Sequence, residues 1–192
     1  MSCGVVRSSW GDQYFLESFG GGLVTQLIAR GKEEVDENPA VPAEDEIHHA
    51  LRLFLRLLHS SSPERWCLTL DDRDLSGEYL LVEAMNIPLI GPNIPLAPSA
   101  DPGDGLLDVV TISEHERERF SDYVTRRLDG DVPPPELMVH RGRSLRIASS
   151  GGPLHLDDDL WPDDSGEERE EEATEVQLTM ECGAVEVLVE PA

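Results

Sequence analysis

The chain has 192 residues, of which 39% are hydrophobic and only 5% aromatic, enough for one modest core. Its 15 Lys and Arg stand against 39 Asp and Glu, a formal net charge of -24. Such a charge repels phosphate backbones and anionic lipid surfaces, so nucleic-acid binding is excluded. Membrane contact is at most peripheral, through a local apolar or basic patch.

Cys3, Cys67 and Cys182 are odd in number and far apart, with no CxxC pair. Neither a zinc site nor a disulfide framework is expected, and a reducing compartment is the simpler reading. The opening MSCGVVRSSW has no apolar h-region of a signal peptide. No apolar run approaches the roughly 18 residues that span a bilayer. A soluble, cytoplasmic protein is expected.

In chain order, Val5 and Val6 predict a short strand, and Tyr14 to Phe19 a second, broken by Gly20-Gly21-Gly22. Residues 23–30 have helical spacing, and 31–43, with Pro39 and Pro42, read as a loop. Glu44, Asp45 and Glu46 then suit a helix N-terminus, where carboxylates offset the dipole. Ile47, Ala50, Leu51, Phe54, Leu55 and Leu58 form a core-facing stripe through residue 59. The nearby His48, His49 and His59 read as solvated or packed side chains. Trp66, Leu68 and Leu70 alternate as a strand, followed by a turn at 71–74.

Residues 79–85 (YLLVEAM) are nearly all apolar, as in a central strand buried on both faces. Residues 86–105, rich in Pro, Gly and Asn, form an irregular connection, and 106–112 another strand. Ser113 and Glu116 have capping-box spacing at the head of a helix over 113–128. Pro133-Pro134-Pro135 ends that helix, and short strands are expected at 137–140, 144–148 and 153–156. Residues 163–172 carry seven carboxylates and one Arg, a self-repelling, solvated and disordered loop. A final hairpin pairs 175–181 with 184–189, turning at Cys182-Gly183. Many short strands without a βαβ alternation predict a mainly β, α+β fold: one domain over 1–192, a β-sandwich with two or three peripheral helices.

Residues 79–110 carry a longer signal. The segment Ala97-Pro98-Ser99-Ala100-Asp101-Pro102-Gly103-Asp104-Gly105-Leu106-Leu107-Asp108 resembles the "aPxAxxxDGxLdv" motif of the diacylglycerol/sphingosine lipid-kinase family, in its C-terminal domain. Residues 4–24 and the closing Gly-Ala-x-x-Val-Leu-Val strand are similar to the family as well. The fit is weakest over 31–65 and 113–135.

On chemistry alone, Asp104-Gly105 is a turn entering a strand. Glycine lets carbonyls bend inward, and one carboxylate with turned carbonyls suits a hard cation. The same spacing also fits a tight acidic loop that holds no ion. The resemblance implies an Mg²⁺ site, or one for Ca²⁺, formed by the Asp104 side chain and the carbonyls of Asp101 and Leu106. It further implies a base for the lipid hydroxyl at Asp159, in His155-Leu156-Asp157-Asp158-Asp159, where the family has Asp-Gly-Glu. Asp158 replaces the Gly, and Asp159 has a stem one carbon shorter than Glu. A base must reach about 2.6–3.2 Å from its hydroxyl. A solvated acidic turn is the alternative reading.

The family's Gly-Gly-Asp-Gly-Thr phosphate loop is not in this chain, and Gly20-Gly21-Gly22 is no P-loop, having no nearby Lys. ATP is therefore expected only with a nucleotide-binding partner half. The resemblance implies the C-terminal domain of a kinase acting on a diacylglycerol or sphingoid hydroxyl, inactive alone. The other readings are a non-catalytic lipid- or partner-binding module and one subunit of a split kinase.

Overall fold

A computed structural model of the protein describes residues 1–9, 11–37, 43–130, 132–149, 152–161 and 174–185. The first elements are β1 (Cys3–Ser8), β2 (Gly11–Phe15), β3 (Ser18–Gly22), α1 (Leu23–Glu37) and α2 (Ala43–Ser60). Next come β4 (Glu64–Leu70), β5 (Arg73–Asp74), β6 (Gly77–Tyr79), β7 (Leu81–Met85), β8 (Leu89–Ile90), β9 (Ile94–Pro95) and β10 (Leu107–Ile112). A 3-10 turn (Glu114–Glu116) leads into α3 (Arg117–Asp129). The remaining strands are β11 (Val139–Gly142), β12 (Ser144–Ser149), β13 (Leu154–Leu156), β14 (Asp159–Trp161) and β15 (Thr174–Glu181).

Two antiparallel sheets form the sandwich. One runs β2-β1-β15-β12-β4-β5, with β6 also on β4; the other runs β11-β10-β7-β3-β13-β14. The short β8-β9 hairpin stands apart. In the second sheet β7 and β10 are buried at every residue, as the continuous apolar runs predicted. Val82, Ala84, Leu107 and Val109 face the other sheet, packing with Phe19, Leu68, Ile147 and Leu178. Leu81, Met85, Val110 and Ile112 face the helices, packing with Leu23, Leu51, Phe54, Phe120 and Tyr123. Alternation along each strand thus feeds two cores, one between the sheets and one beneath the helices. The mainly β sandwich, with three α-helices among the described residues, matches the expected class.

The Ser113–Glu116 capping box forms: the Glu116 carboxylate accepts from the Ser113 N–H at 2.9 Å and its hydroxyl at 3.0 Å. Three local expectations are corrected. Tyr14 to Phe19 is not one strand, because the chain bends at Leu16-Glu17 between β2 and β3. The three glycines do not break a strand; they belong to β3, between β7 and β13. The reason is space. A Cβ on Gly21 would lie 2.6 Å from the Trp66 ring, and one on Gly20 2.2 Å from the Val82 carbonyl oxygen. Lastly, α1 does not stop at residue 30 but continues to Glu37. In this added part Lys32 and Glu33 are exposed, and Glu34 meets His49 and, at 3.2 Å, Arg56 on α2.

The expected acidic loop at 163–172 lies outside the described residues. Of the expected 184–189 strand, 184–185 are not in a strand and 186–189 lie outside. Among the described residues no helix is long and apolar enough to cross a membrane.

Candidate active site

Both predicted carboxylate sites lie at one end of the second sheet, where β3 and β10 begin and β7 and β13 end. The antiparallel register makes this so. Met85, at the end of β7, pairs with Ser18 on one side and Asp108 on the other, and Leu156 pairs with Phe19.

The 101–106 loop is built by its own aspartates. Asp101 Oδ1 accepts the Gly103 N–H at 2.8 Å, and Asp104 Oδ1 accepts the Leu106 N–H at 2.9 Å. The Asp101 carbonyl accepts the Asp104 N–H at 3.2 Å. Gly105 has φ 71, a left-handed conformation that glycine adopts without strain, and a Cβ there would lie 2.5 Å from Cys182 Sγ. The second Asp104 oxygen is paired with Arg141. Arg141 Nε also lies 3.2 Å from Oδ1 of Asp108, whose side chain is 1% exposed. That contact lies outside hydrogen-bond alignment, and among the described residues neither Asp108 oxygen has a hydrogen-bond partner. Burial raises the Asp108 carboxyl above its usual range, against the opposing pull of Arg141.

Hard oxygen donors of this kind fit Mg²⁺ or Ca²⁺. The Asp101 carbonyl keeps a second lone pair, and a cation at Asp104 would have to share its carboxylate with Arg141. Among the described residues no three His, Cys, Asp or Glu are placed to hold a metal, so any cation here depends on backbone carbonyls.

The 157–159 turn divides its labour. Asp157 has φ 51 and uses all of its polar groups. Its carboxylate accepts the N–H groups of Leu16 at 3.0 Å, Glu17 at 2.8 Å and Ser18 at 3.1 Å. Its own N–H donates to the Ser18 carbonyl at 2.9 Å, and its carbonyl lies 2.9 Å from His155 Nδ1. Asp159 begins β14 with its side chain 83% exposed, paired with Lys32 of α1 at 2.8 Å. Glu17 stands over the same turn. Its carboxyl is raised by burial and by the charges of Asp158 and Asp157.

Asn86 joins the two sites. Its backbone N–H donates to the Glu17 carbonyl at 2.8 Å. Its side-chain Nδ2 donates to the carbonyls of Leu16 at 2.7 Å and Ser2 at 3.2 Å. The Ser2 N–H donates in turn to the Pro102 carbonyl at 2.6 Å, in the 101–106 loop. Sequence reasoning missed Asn86, Arg141, Asp108, Glu17 and the buried Glu83–His155 pair described below. The hint available for Asn86 was its place at the end of the apolar run 79–85, directly before the Pro- and Gly-rich connection.

Residues 29–189 match the YegS C-terminal NAD kinase beta sandwich-like domain family. The chain belongs to this family. No curated protein matches it. A solved structure described as "a putative diacylglycerol kinase from Bacillus anthracis str. Sterne" is similar at 20% identity and a TM-score of 0.62, over 95% of this chain and 54% of that one. A second, described as a diacylglycerol kinase from the same strain, matches at 19% identity and TM-score 0.57, over 95% and 55%. The YegS-type domain thus has the fold seen in those proteins and spans about half their length.

Proposed function

We propose that this YegS-type domain is the acceptor-side half of a lipid kinase, which moves the ATP γ-phosphate to a diacylglycerol or sphingoid hydroxyl. ATP enters only when a nucleotide-binding partner half is present, because phosphoryl transfer depends on a phosphate cradle and charge stabilisation. The observation that carries the reading is the convergence of the Asp101–Asp104–Leu106 loop and the Asp157–Asp159 turn on one sheet end, joined through Asn86. Asp104 and the carbonyls of Asp101 and Leu106 would hold Mg²⁺ or Ca²⁺, which would supply positive charge there. Asp159 takes the proton of the lipid hydroxyl. The protein works in the cytoplasm and touches the membrane peripherally.

The test is phosphate transfer from radiolabelled ATP to several lipid acceptors. The chain alone gives no turnover, and adding a YegS-type nucleotide-binding half restores it. Turnover by the chain alone, or none with any such half, overturns the reading. For the cation, Mg²⁺ or Ca²⁺ raises the thermal midpoint of the wild type and not of Asp104→Asn; equal responses remove the metal. The exposure of Asp159 and its pairing with Lys32 favour one second reading, a non-catalytic lipid-binding module. That reading predicts vesicle binding unchanged by Asp159→Asn and no turnover with any partner.

A further inference from the structure

On the helix-facing side of the second sheet, one row of side chains holds a buried acid and a buried imidazole. Glu83 of β7 and His155 of β13 are both paired in register with Gly20 of β3, which lies between them. Their neighbours on this face of β7, Leu81 and Met85, are apolar. His155 Nε2 lies 2.9 and 3.0 Å from the two Glu83 oxygens, and both side chains are 0% exposed. Gly20 makes this possible, because a Cβ there would lie 2.6 Å from Glu83 Cδ and Oε2. The chain therefore gives up a side chain in the middle of a strand to let two ionisable groups meet.

The other imidazole nitrogen leads to the 157–159 turn. Nδ1 lies 2.9 Å from the Asp157 carbonyl oxygen, which can only accept. Nδ1 must then carry a proton. A single further proton lies between Nε2 and the Glu83 carboxyl, so the pair is neutral overall. Such a buried pair is no gain over apolar side chains of similar volume, because desolvation offsets the attraction. What it supplies is direction: Glu83 fixes the ring, and the ring holds one carbonyl.

We propose that Glu83 and His155 are positioning residues that set the Asp157–Asp159 turn from beneath. His155 acts on the Asp157 carbonyl, while the Leu16, Glu17 and Ser18 amides hold the same residue by its carboxylate. The aim given to Asp159 serves a catalytic end only if the lipid-kinase reading above holds; the brace itself is independent of it.

Two substitutions separate a brace from simple packing. In His155→Asn the amide nitrogen takes the place of Nδ1 and keeps the donor to Asp157. In His155→Gln the amide lies where Nε2 was and keeps the Glu83 contact alone. Amide hydrogen exchange in the full chain reads the turn through Leu16, Glu17 and Ser18. His155→Gln should speed exchange at these three by about tenfold or more, and His155→Asn should stay within about threefold of wild type. Amides between β12 and β15 should not change in either. Wild-type rates in His155→Gln, or equal effects of both variants, overturn the proposal. Should neither variant fold, nitrogen-15 spectra of histidine-labelled wild type decide it: an unprotonated His155 Nδ1 overturns the brace. A brace confirmed by exchange, beside a failed phosphate-transfer assay, would reject the kinase reading alone.

Discussion

Gly20→Ala tests the packing argument at its tightest point. The added methyl would lie 2.2 Å from the Val82 carbonyl oxygen and 2.6 Å from Glu83 Cδ and Oε2. The backbone oxygen is fixed in a central strand, so Glu83 or the β3–β7 spacing must yield. Overpacking in a core costs about 1–3 kcal/mol. Displacing Glu83 from His155 forfeits a charge-assisted hydrogen bond worth roughly 1.5–3 kcal/mol. Alanine returns about 0.5–1 kcal/mol of backbone entropy in a strand. The net loss expected is about 2–5 kcal/mol, a large part of a typical domain stability of roughly 5–15 kcal/mol. Urea unfolding followed by tryptophan fluorescence measures it, with Trp66 packed over the adjacent Gly21. The matched control is Gly31→Ala in the middle of α1, where a Cβ meets nothing within 4 Å. That variant should gain about 0.5–1 kcal/mol. A loss below about 1 kcal/mol for Gly20→Ala, or equal losses in both, would refute the reasoning.

The Glu83–His155 pair also sets a pH dependence. Burial raises Glu83; burial alone would lower His155, but the Glu83 carboxylate and its hydrogen bonds raise it above its usual 6.5. The proton shared by the pair is held more tightly folded than unfolded, so stability falls as pH rises. The His155 contribution is complete below about pH 6.5 and is lost as pH climbs through its raised folded value. The groups facing the pair are the Ser18 hydroxyl and Asp157. Urea midpoints across this window should decline more steeply in wild type than in Glu83→Gln; parallel curves would refute the assignment. Asp157→Ala removes a carboxylate that serves three amides and should cost about 2–4 kcal/mol, with Asp157→Asn costing about half as much, by the same unfolding measurement. Arg141→Ala leaves the buried Asp108 without its countercharge. Because Arg141 is half exposed, about 1–3 kcal/mol is expected at neutral pH. This cost should shrink on acidification as Asp108 takes up a proton. The same variant frees the Asp104 carboxylate and should tighten Mg²⁺ binding by calorimetry.

What the sequence revealed followed from period and length. The runs in 79–85 and 106–112 announced strands buried on both faces, and β7 and β10 are those strands. The stripe of Leu51, Phe54 and Leu58 announced α2, though Ile47 at its head is exposed, and Ser113 with Glu116 announced the cap before α3. The hidden parts depended on neighbours distant in sequence. Three glycines in a row resemble a strand break until Trp66 and Glu83 are seen to need the space. The 31–37 segment looked like a loop because an exposed helix face is polar, and only α2 shows what it packs against. Strand β14 has three residues, too few for any alternation to register.

The candidate site divides along the same line. Asp104-Gly105 was readable because a left-handed glycine beside a carboxylate is a local arrangement, complete within six residues. The groups that tie this loop to the 157–159 turn come from three separate segments, at Ser2, Leu16–Ser18 and Asn86, and no spacing rule brings them together. Asn86 shows why this matters. It ends a central strand, so its position is set by two cores, and its side chain reaches the carbonyls of Leu16 and Ser2. One buried amide therefore links the 101–106 loop, through Ser2, to the 157–159 turn, through Leu16. If the lipid-kinase reading holds, the distance between them must be held before substrate arrives, since misplacement by about an ångström can cost two orders of magnitude in rate. Asp159 keeps a carboxylate on a shorter stem than glutamate, so the brace beneath the turn has less reach to spare. The buried row of Glu83, Gly20 and His155 is the feature of this chain best suited to supplying that accuracy.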